Sequence, residues 1–181
     1  MNTVTESTIR EWAASDPYYL GRIPYLTAAA EIIARVQGET ALEIGPYLDT
    51  QTLVPGCATM DKAASRFKPT VLHDVRKVPW PMKPERGYDL IVALQVWEHL
   101  HGNERLASAE AFRRARHVLM SFPYLWPGDP LMYDHAGLTR SVFAGWTLDR
   151  DPIMTLRVAS DHPGLSSRCD RILYLFEGDR A

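Results

Sequence analysis

Ala41-Leu42-Glu43-Ile44-Gly45-Pro46 reads as an apolar strand ending in an acid and a glycine, and Asp61 follows eighteen positions after Glu43. A second apolar run, Thr70-Val71-Leu72-His73, closes on Asp74. Acids at the ends of consecutive strands suit a site that grips a nucleoside by its hydroxyls and its base, because a carboxylate can accept two hydrogen bonds from a diol. Asp61 is the candidate for the diol, Asp74 for an exocyclic amine on the base, and Gly45 for close backbone approach to the ligand. Each has an ordinary structural use as well: the acids as helix or loop caps, the glycine as a turn residue.

The elements on either side follow from periodicity and breakers. Residues 7–14 suit a short helix, and 26–36 an alanine-rich amphipathic helix stopped near Gly38. Strands are expected at 40–45, 58–61 and 70–73, and at 88–94, whose unbroken apolar run suits a strand buried on both faces of a parallel sheet. Helix over 104–116, strand over 117–122 and a short helix over 139–144 with Thr139 as its N-cap come next. Strands at 154–159 and 171–176 are joined by about ten residues, too few for a parallel crossover, so they pair antiparallel. The expected fold is α/β: a Rossmann-like, mostly parallel sheet with helices on both faces and a C-terminal antiparallel hairpin strand. Residues 1–181 are read as a single domain, with 1–24 as an N-terminal lid or substrate-binding extension.

Composition narrows the function. Twenty basic against twenty-two acidic side chains leave a net charge of −2, with no broad electrostatic footprint for nucleic acid. The basic cluster Arg113, Arg114 and Arg116 reads as a solvated helix face. Cys57 and Cys169 stand far apart, outside any metal-ligand spacing, and suit free thiols in a reducing compartment. The first residues lack the regions of a signal peptide and no run is long enough to cross a bilayer, so a cytoplasmic protein without membrane contact is expected.

The glycines are as informative by their scarcity. A dinucleotide site needs Gly-x-Gly-x-x-Gly opening a helix onto a pyrophosphate, and here Gly45 stands alone before Pro46 and Pro55. No Gly-x-x-x-x-Gly-Lys-Ser/Thr loop occurs either. The implied ligand has a ribose and a base but little need of phosphate contacts, which describes S-adenosylmethionine.

On these residues the chain resembles a class I S-adenosylmethionine-dependent methyltransferase. The matching pieces are residues 42–46, the acid Asp61, His73-Asp74, and the run Tyr88-Asp89-Leu90-Ile91-Val92-Ala93-Leu94-Gln95-Val96-Trp97-Glu98-His99-Leu100, a buried fourth strand leading into Glu-His-Leu. The resemblance covers about residue 25 onward, and the reversed final strand belongs to it. It implies that Glu43, Gly45 and Tyr47 line the methionine part of the cofactor, that Asp61 holds the ribose, that Asp74 and Val75 face the adenine, and that Gln95 lies near the sulfonium. Two departures stand out: the usual Gly-x-Gly is reduced to Gly45-Pro46-Tyr47, and the helix after the first strand is absent or minimal.

Methyl transfer from a sulfonium is a direct displacement, so the protein has to align the reactants and exclude water. A hydroxyl acceptor also needs a base, usually a histidine near neutral pH. His99, after the fourth strand, and His135, after the fifth, are the candidates. Glu98-His99 resembles the acidic-His segment with which some quinone-pathway O-methyltransferases hold a divalent metal, but Gln95 replaces their further acid, so no metal is assigned. The Asn/Asp-Pro-Pro-Tyr/Phe segment of base- and amine-methylating members is missing after the fourth strand; Ser121-Phe122-Pro123-Tyr124 follows the fifth instead. Hydroxyl methylation of a small molecule, a sugar or secondary metabolite, is therefore the first expectation. Residues 124–130, including Tyr124 and Trp126, would wall the substrate pocket with Tyr18, Tyr19 and Tyr25, and a homodimer partner could complete it. Two alternatives stay open: a catalytically silent methyltransferase-like subunit that binds a partner, and a nicotinamide-dependent oxidoreductase.

Overall fold

The strands are β1 (Ala41–Ile44), β2 (Ala58–Asp61), β3 (Val71–Leu72), β4 (Tyr88–Leu94), β5 (Ala115–Pro123), β6 (Met154–Val158) and β7 (Arg171–Glu177). In the computed structural model, which describes residues 1–48, 50–65, 67–81, 86–127, 133–159 and 169–180, they form one sheet in the order β3-β2-β1-β4-β5-β7-β6. The first five run parallel, with Leu42 beside Ile91 and Ile91 beside Val118. Strand β7 inserts antiparallel between β5 and β6. The short connection thus produces the hairpin that chain length requires.

Alternation along β4 divides the core in two. Leu90 and Val92 join Leu119, Leu173 and Leu175 on one face, beneath helices α1 (Glu6–Ser15) and α2 (Ile23–Arg35). Ile91 and Ala93 join Val118, Met120 and Ile172 on the other, beneath α3 (Glu104–Arg114) and α4 (Arg140–Trp146). Leu90, Ile91 and Val92 are wholly buried; each such side chain contributes about 1.5–3 kcal/mol relative to exposure. This two-sided demand accounts for the unbroken apolar run.

Local chemistry sets the helix ends. Thr5 caps α1, its hydroxyl accepting the amide of Thr8 at 3.3 Å. Helix α2 begins at Ile23, three residues before the expected start at 26, because Pro24 sits comfortably in a first turn. It follows directly on a 3₁₀ turn, Pro17–Arg22. Helix α3 gives way to β5 at Ala115, so the expected boundary at 116–117 moves two residues earlier. Strand β3 keeps only two of its four expected residues. Thr139 does occupy the N-cap of α4, but its side chain does not cap the helix; the hydroxyl pairs with Ser141 Oγ at 2.8 Å.

Among the described residues, the β1–β2 connection contains no helix. It is held by side-chain and strap contacts instead. Glu43 Oε2 accepts the Leu53 amide at 2.8 Å, and Leu53 O accepts the amide of Val4 at 3.0 Å. Ile9 and Ala13 of α1 and Tyr19 of the 3₁₀ turn are buried against α2 and this connection. The N-terminal segment therefore forms part of one of the two cores. No helix among the described residues is long and apolar enough to cross a membrane.

Candidate cofactor and acceptor site

The carboxyl ends of β1, β2 and β4 open onto a cleft of about 440 Å³. Of the residues expected to hold the cofactor, Gly45, Asp61, Asp74, Val75 and Gln95 line it. Gly45 has φ +65°, a conformation that side chains rarely adopt, and an added Cβ would lie 3.1 Å from Val96 Cγ2. Its amide donates to Met60 O at 2.8 Å, locking the turn beside β2. Asp61 Oδ1 accepts the Ala63 amide at 2.9 Å. Asp74 is braced by Arg76, whose guanidinium donates to both carboxylate oxygens at 2.6–3.1 Å. Those hydrogen bonds outweigh burial and hold its pKa down at about 2. Gln95 also has a positive φ, 57°, held by amide donation to Ser121 Oγ and Ser121 O, both at 3.1 Å. A non-glycine residue locked in this region at a strand end marks a place where local strain is tolerated.

Glu43 and Tyr47 do not line this cleft, and the expectation that three acids share one rim is corrected to two. Strand alternation sends Glu43 to the α2 face with Ala41, while Leu42 and Ile44 face α3. There Glu43 lines a separate hollow of about 40 Å³ with Tyr47, Tyr18, Tyr19 and Arg22. Among the described residues, only Gly45 belongs to both spaces. Burial pushes the Glu43 pKa up to about 7, against the opposing bond from the Leu53 amide. Tyr47 stacks on Tyr18, ring centroids 4.0 Å apart.

The two candidate histidines, expected separately, meet. His135 Nε2 lies 3.3 Å from His99 Nε2, although 36 residues separate them in the chain. His99 also lines the cofactor cleft, and its Nδ1 is 3.5 Å from Asp134 Oδ2, the outer limit of a hydrogen bond. Asp134, which follows β5 and precedes His135, therefore faces His99. Glu98 completes the cluster: Oε1 is 3.7 Å from His135 Nε2, and the side chain has no exposed surface. Neither Glu98 carboxylate oxygen has a hydrogen-bond partner among the described residues. Burial drives Glu98 up to about 8, with its own backbone amide and then the charges of Arg171 and Arg22 pulling the other way. Burial, aided by His99, takes His135 down to about 4, leaving it a neutral imidazole at pH 7. One potential ligand atom from each of Glu98, His99 and His135 lies within 4.8 Å of the others, so the cluster has the makings of a metal site that two ligands alone lack.

The aromatic residues expected to wall the substrate do not surround one space. Tyr19 is buried and donates to Gln51 Oε1 at 2.6 Å. Trp126 is buried against His135, and its Nε1 donates to Asp170 O at 2.6 Å. Tyr124 packs beside Phe143 with the Arg157 guanidinium 4.9 Å from its ring centroid. Trp126 thus reaches the histidine cluster, whereas Tyr19 belongs to the small hollow. Gly128, Asp129 and Pro130, placed on the same wall by sequence, lie outside the described residues. Sequence reading overlooked Lys62, Arg76 and His101 of the cleft. The run Glu98-His99-Leu100-His101 carried the signal for the last of these.

No family model matches the sequence, and no curated protein matches it in sequence. Solved structures do share its architecture. The N-terminal domain of EvdMO1, determined in the presence of SAH and D-fucose, superposes with a TM-score of 0.52 at 10% identity, covering 84% of this chain and 82% of that one. The fold is that of the class I methyltransferases. The plantazolicin methyltransferase BpumL, in complex with SAH, gives 0.52 at 11% identity over 94% of this chain and 90% of its own. BH2331 of Bacillus halodurans C-125, assigned as a methyltransferase, gives 0.54 at 10% identity, with 82% and 96% covered. This chain spans 41% of the length of a longer EvdMO1 chain.

Proposed function

We propose that the protein is an S-adenosylmethionine-dependent methyltransferase acting on a hydroxyl of a small molecule, a sugar or secondary metabolite. The observation that carries this reading is the cleft at the carboxyl ends of the strands in a methyltransferase fold, lined by Asp61 and Asp74 as well as by Gln95 and His99. Its volume, about 440 Å³, falls among small-molecule sites. When bound, the cofactor supplies a methyl group on a sulfonium, activated for displacement. In this reading Asp61 accepts the ribose hydroxyls, and the backbone at Gly45 makes the close approach. Val75 offers apolar contact to the adenine, and the braced carboxylate of Asp74 accepts from its amine. Gln95 lies towards the sulfonium. Glu43 and Tyr47 support the connection behind the methionine end.

The proton of the acceptor hydroxyl goes to the histidine cluster. His99 is the better placed base, since it lines the cleft and has Asp134 behind Nδ1 to stabilise the imidazolium that forms. His135, half-buried and neutral, steadies it from the far side. A sugar is the first acceptor to test, supported by the presence of D-fucose with a protein of the same fold. The two cysteines, Cys57 half-buried and Cys169 buried, suit the reducing cytoplasm.

Thermal unfolding with S-adenosylhomocysteine tests the cofactor assignment. A ligand binding only the folded chain at a hundred times its Kd stabilises it by about 2.7 kcal/mol. No shift at millimolar ligand would refute the assignment and leave the silent partner-binding subunit, which the missing β1–β2 helix favours among the alternatives. A shift with NADH alone would make the protein an oxidoreductase. Release of S-adenosylhomocysteine during acceptor screening then tests the hydroxyl.

A further inference from the structure

We infer that Glu98, His99 and His135 form a binding site for one divalent transition-metal ion beside the cleft that His99 lines. The ligand atoms come from two loops: Glu98 and His99 from the 3₁₀ turn Trp97–His99 after β4, and His135 from the turn Tyr133–His135 after β5. Because β4 and β5 are parallel neighbours, both turns emerge at the same edge of the sheet. The spacings are 3.3 Å between the two Nε2 atoms and 3.7 Å from His135 Nε2 to Glu98 Oε1. Ligand atoms about 2.1 Å from a common ion stand about 3.0–3.5 Å apart in octahedral or tetrahedral geometry, so small side-chain adjustments close the set around one ion.

Glu98 is the independent sign that something binds there. Its side chain has no exposed surface, and both carboxylate oxygens lack a hydrogen-bond partner among the described residues. A carboxyl group is not normally sealed from water without a partner. His135 Nδ1 is buried in the same condition. Asp134 Oδ2, 3.5 Å from His99 Nδ1, is placed to orient that imidazole as an outer partner does for a ligating histidine.

The donor set identifies the ion class. Two imidazoles and one carboxylate suit Zn²⁺, Co²⁺, Mn²⁺ or Fe²⁺; Mg²⁺ and Ca²⁺ prefer all-oxygen shells. Three protein ligands leave positions open, and His99 borders the cofactor cleft, so an oxygen of the methyl acceptor can occupy one of them. A coordinated hydroxyl gives up its proton to water more readily, so an ion there would take over the free-base role proposed above for His99, which then acts as a ligand. This last step rests on the methyltransferase reading; the metal site does not. Arg22 and Arg171 lie near enough to act on Glu98 electrostatically, and their charge weakens the hold on a cation.

The test is a titration of the metal-stripped chain with Co²⁺, followed through its visible absorption, with Zn²⁺ competition read by calorimetry. One saturable equivalent is expected in the wild type, displaced by Zn²⁺ and not by a large excess of Mg²⁺. Glu98→Gln and His135→Ala should each weaken binding at least about tenfold, in line with loss of one ligand. If either variant fails to fold, His99→Ala, at a half-exposed position, serves in its place. Absence of saturable binding by the wild type would overturn the inference, as would unchanged affinity in all folded variants. Binding of S-adenosylhomocysteine is measured on the same samples. If the metal binds and that ligand does not, the methyltransferase assignment fails and the metal site stands; the reverse result removes the metal site alone.

Discussion

Replacing Glu43 by Gln should abolish a specific part of the pH dependence of stability. The folded chain holds the Glu43 carboxyl in a buried position with a pKa of about 7, against an ordinary value of 4.5. Between those values the folded state keeps a proton that the unfolded state has released. The stabilisation is complete below about 4.5 and is lost as pH rises through 7, where the folded group must also ionise. Each pKa unit corresponds to about 1.4 kcal/mol, so the displacement is worth about 3 kcal/mol in full and about 2–3 kcal/mol between pH 5 and 8. Gln has nearly the same shape and keeps an oxygen to accept the Leu53 amide, but it cannot ionise. Urea unfolding of both proteins at several pH values measures the difference, and other titrating groups cancel in the comparison. The variant should gain on the wild type steadily from pH 5 to 7 and then stay ahead by a constant margin. A difference that does not change with pH would show that Glu43 is hydrated and that the burial argument is wrong. Because Glu43 does not line the cleft, S-adenosylhomocysteine affinity should change less than about threefold; loss of binding would mean direct contact with the ligand.

Asp61→Asn should weaken S-adenosylhomocysteine about tenfold to a hundredfold by calorimetry, since hydrogen bonds to a charged group are worth about 1.5–3 kcal/mol; an unchanged Kd would remove the ribose role. Gly45→Ala forces a side chain into φ +65° against Val96. It should cost about 1–2 kcal/mol in chemical denaturation and weaken cofactor binding as the turn shifts. Ile91→Ala, wholly buried between β4 and the α3 face, should lose about 2–5 kcal/mol; a smaller loss would mean that this layer repacks. His99→Ala should lower turnover of any identified hydroxyl acceptor by about a hundredfold or more, with S-adenosylhomocysteine affinity nearly intact.

Most of the sheet was legible because strands carry their own evidence. Residues 88–94 are apolar throughout, and a strand buried on both faces has no other pattern open to it. The acids at 61 and 74 end strands that run the same way, so their arrival at one edge follows from parallel pairing. Chain length alone dictated the antiparallel return of β7. The helix boundaries near 23 and 115 were less legible, because Pro24 tolerates a helical start and because β5 draws Ala115 into its pairing with Tyr88.

Glu43 shows where such reading stops. Its position at the end of β1 was plain, but alternation settles only that it faces opposite to Leu42 and Ile44. Which face carries the ligand depends on how the connection after β1 closes, and a connection without a helix lets Glu43 turn inward to hold Leu53. The histidines make the same point from the other direction. The sequence by itself determined that His99 and His135 follow consecutive strands of a mostly parallel sheet, since apolar patterning locates the strands; that β4 and β5 lie side by side is seen in their pairing. Only the tertiary structure decided that their rings meet beside a buried Glu98. Contact over a few ångströms has no repeating pattern to announce it in the sequence, and in the fold the His135 ring lies edge-on to Trp126.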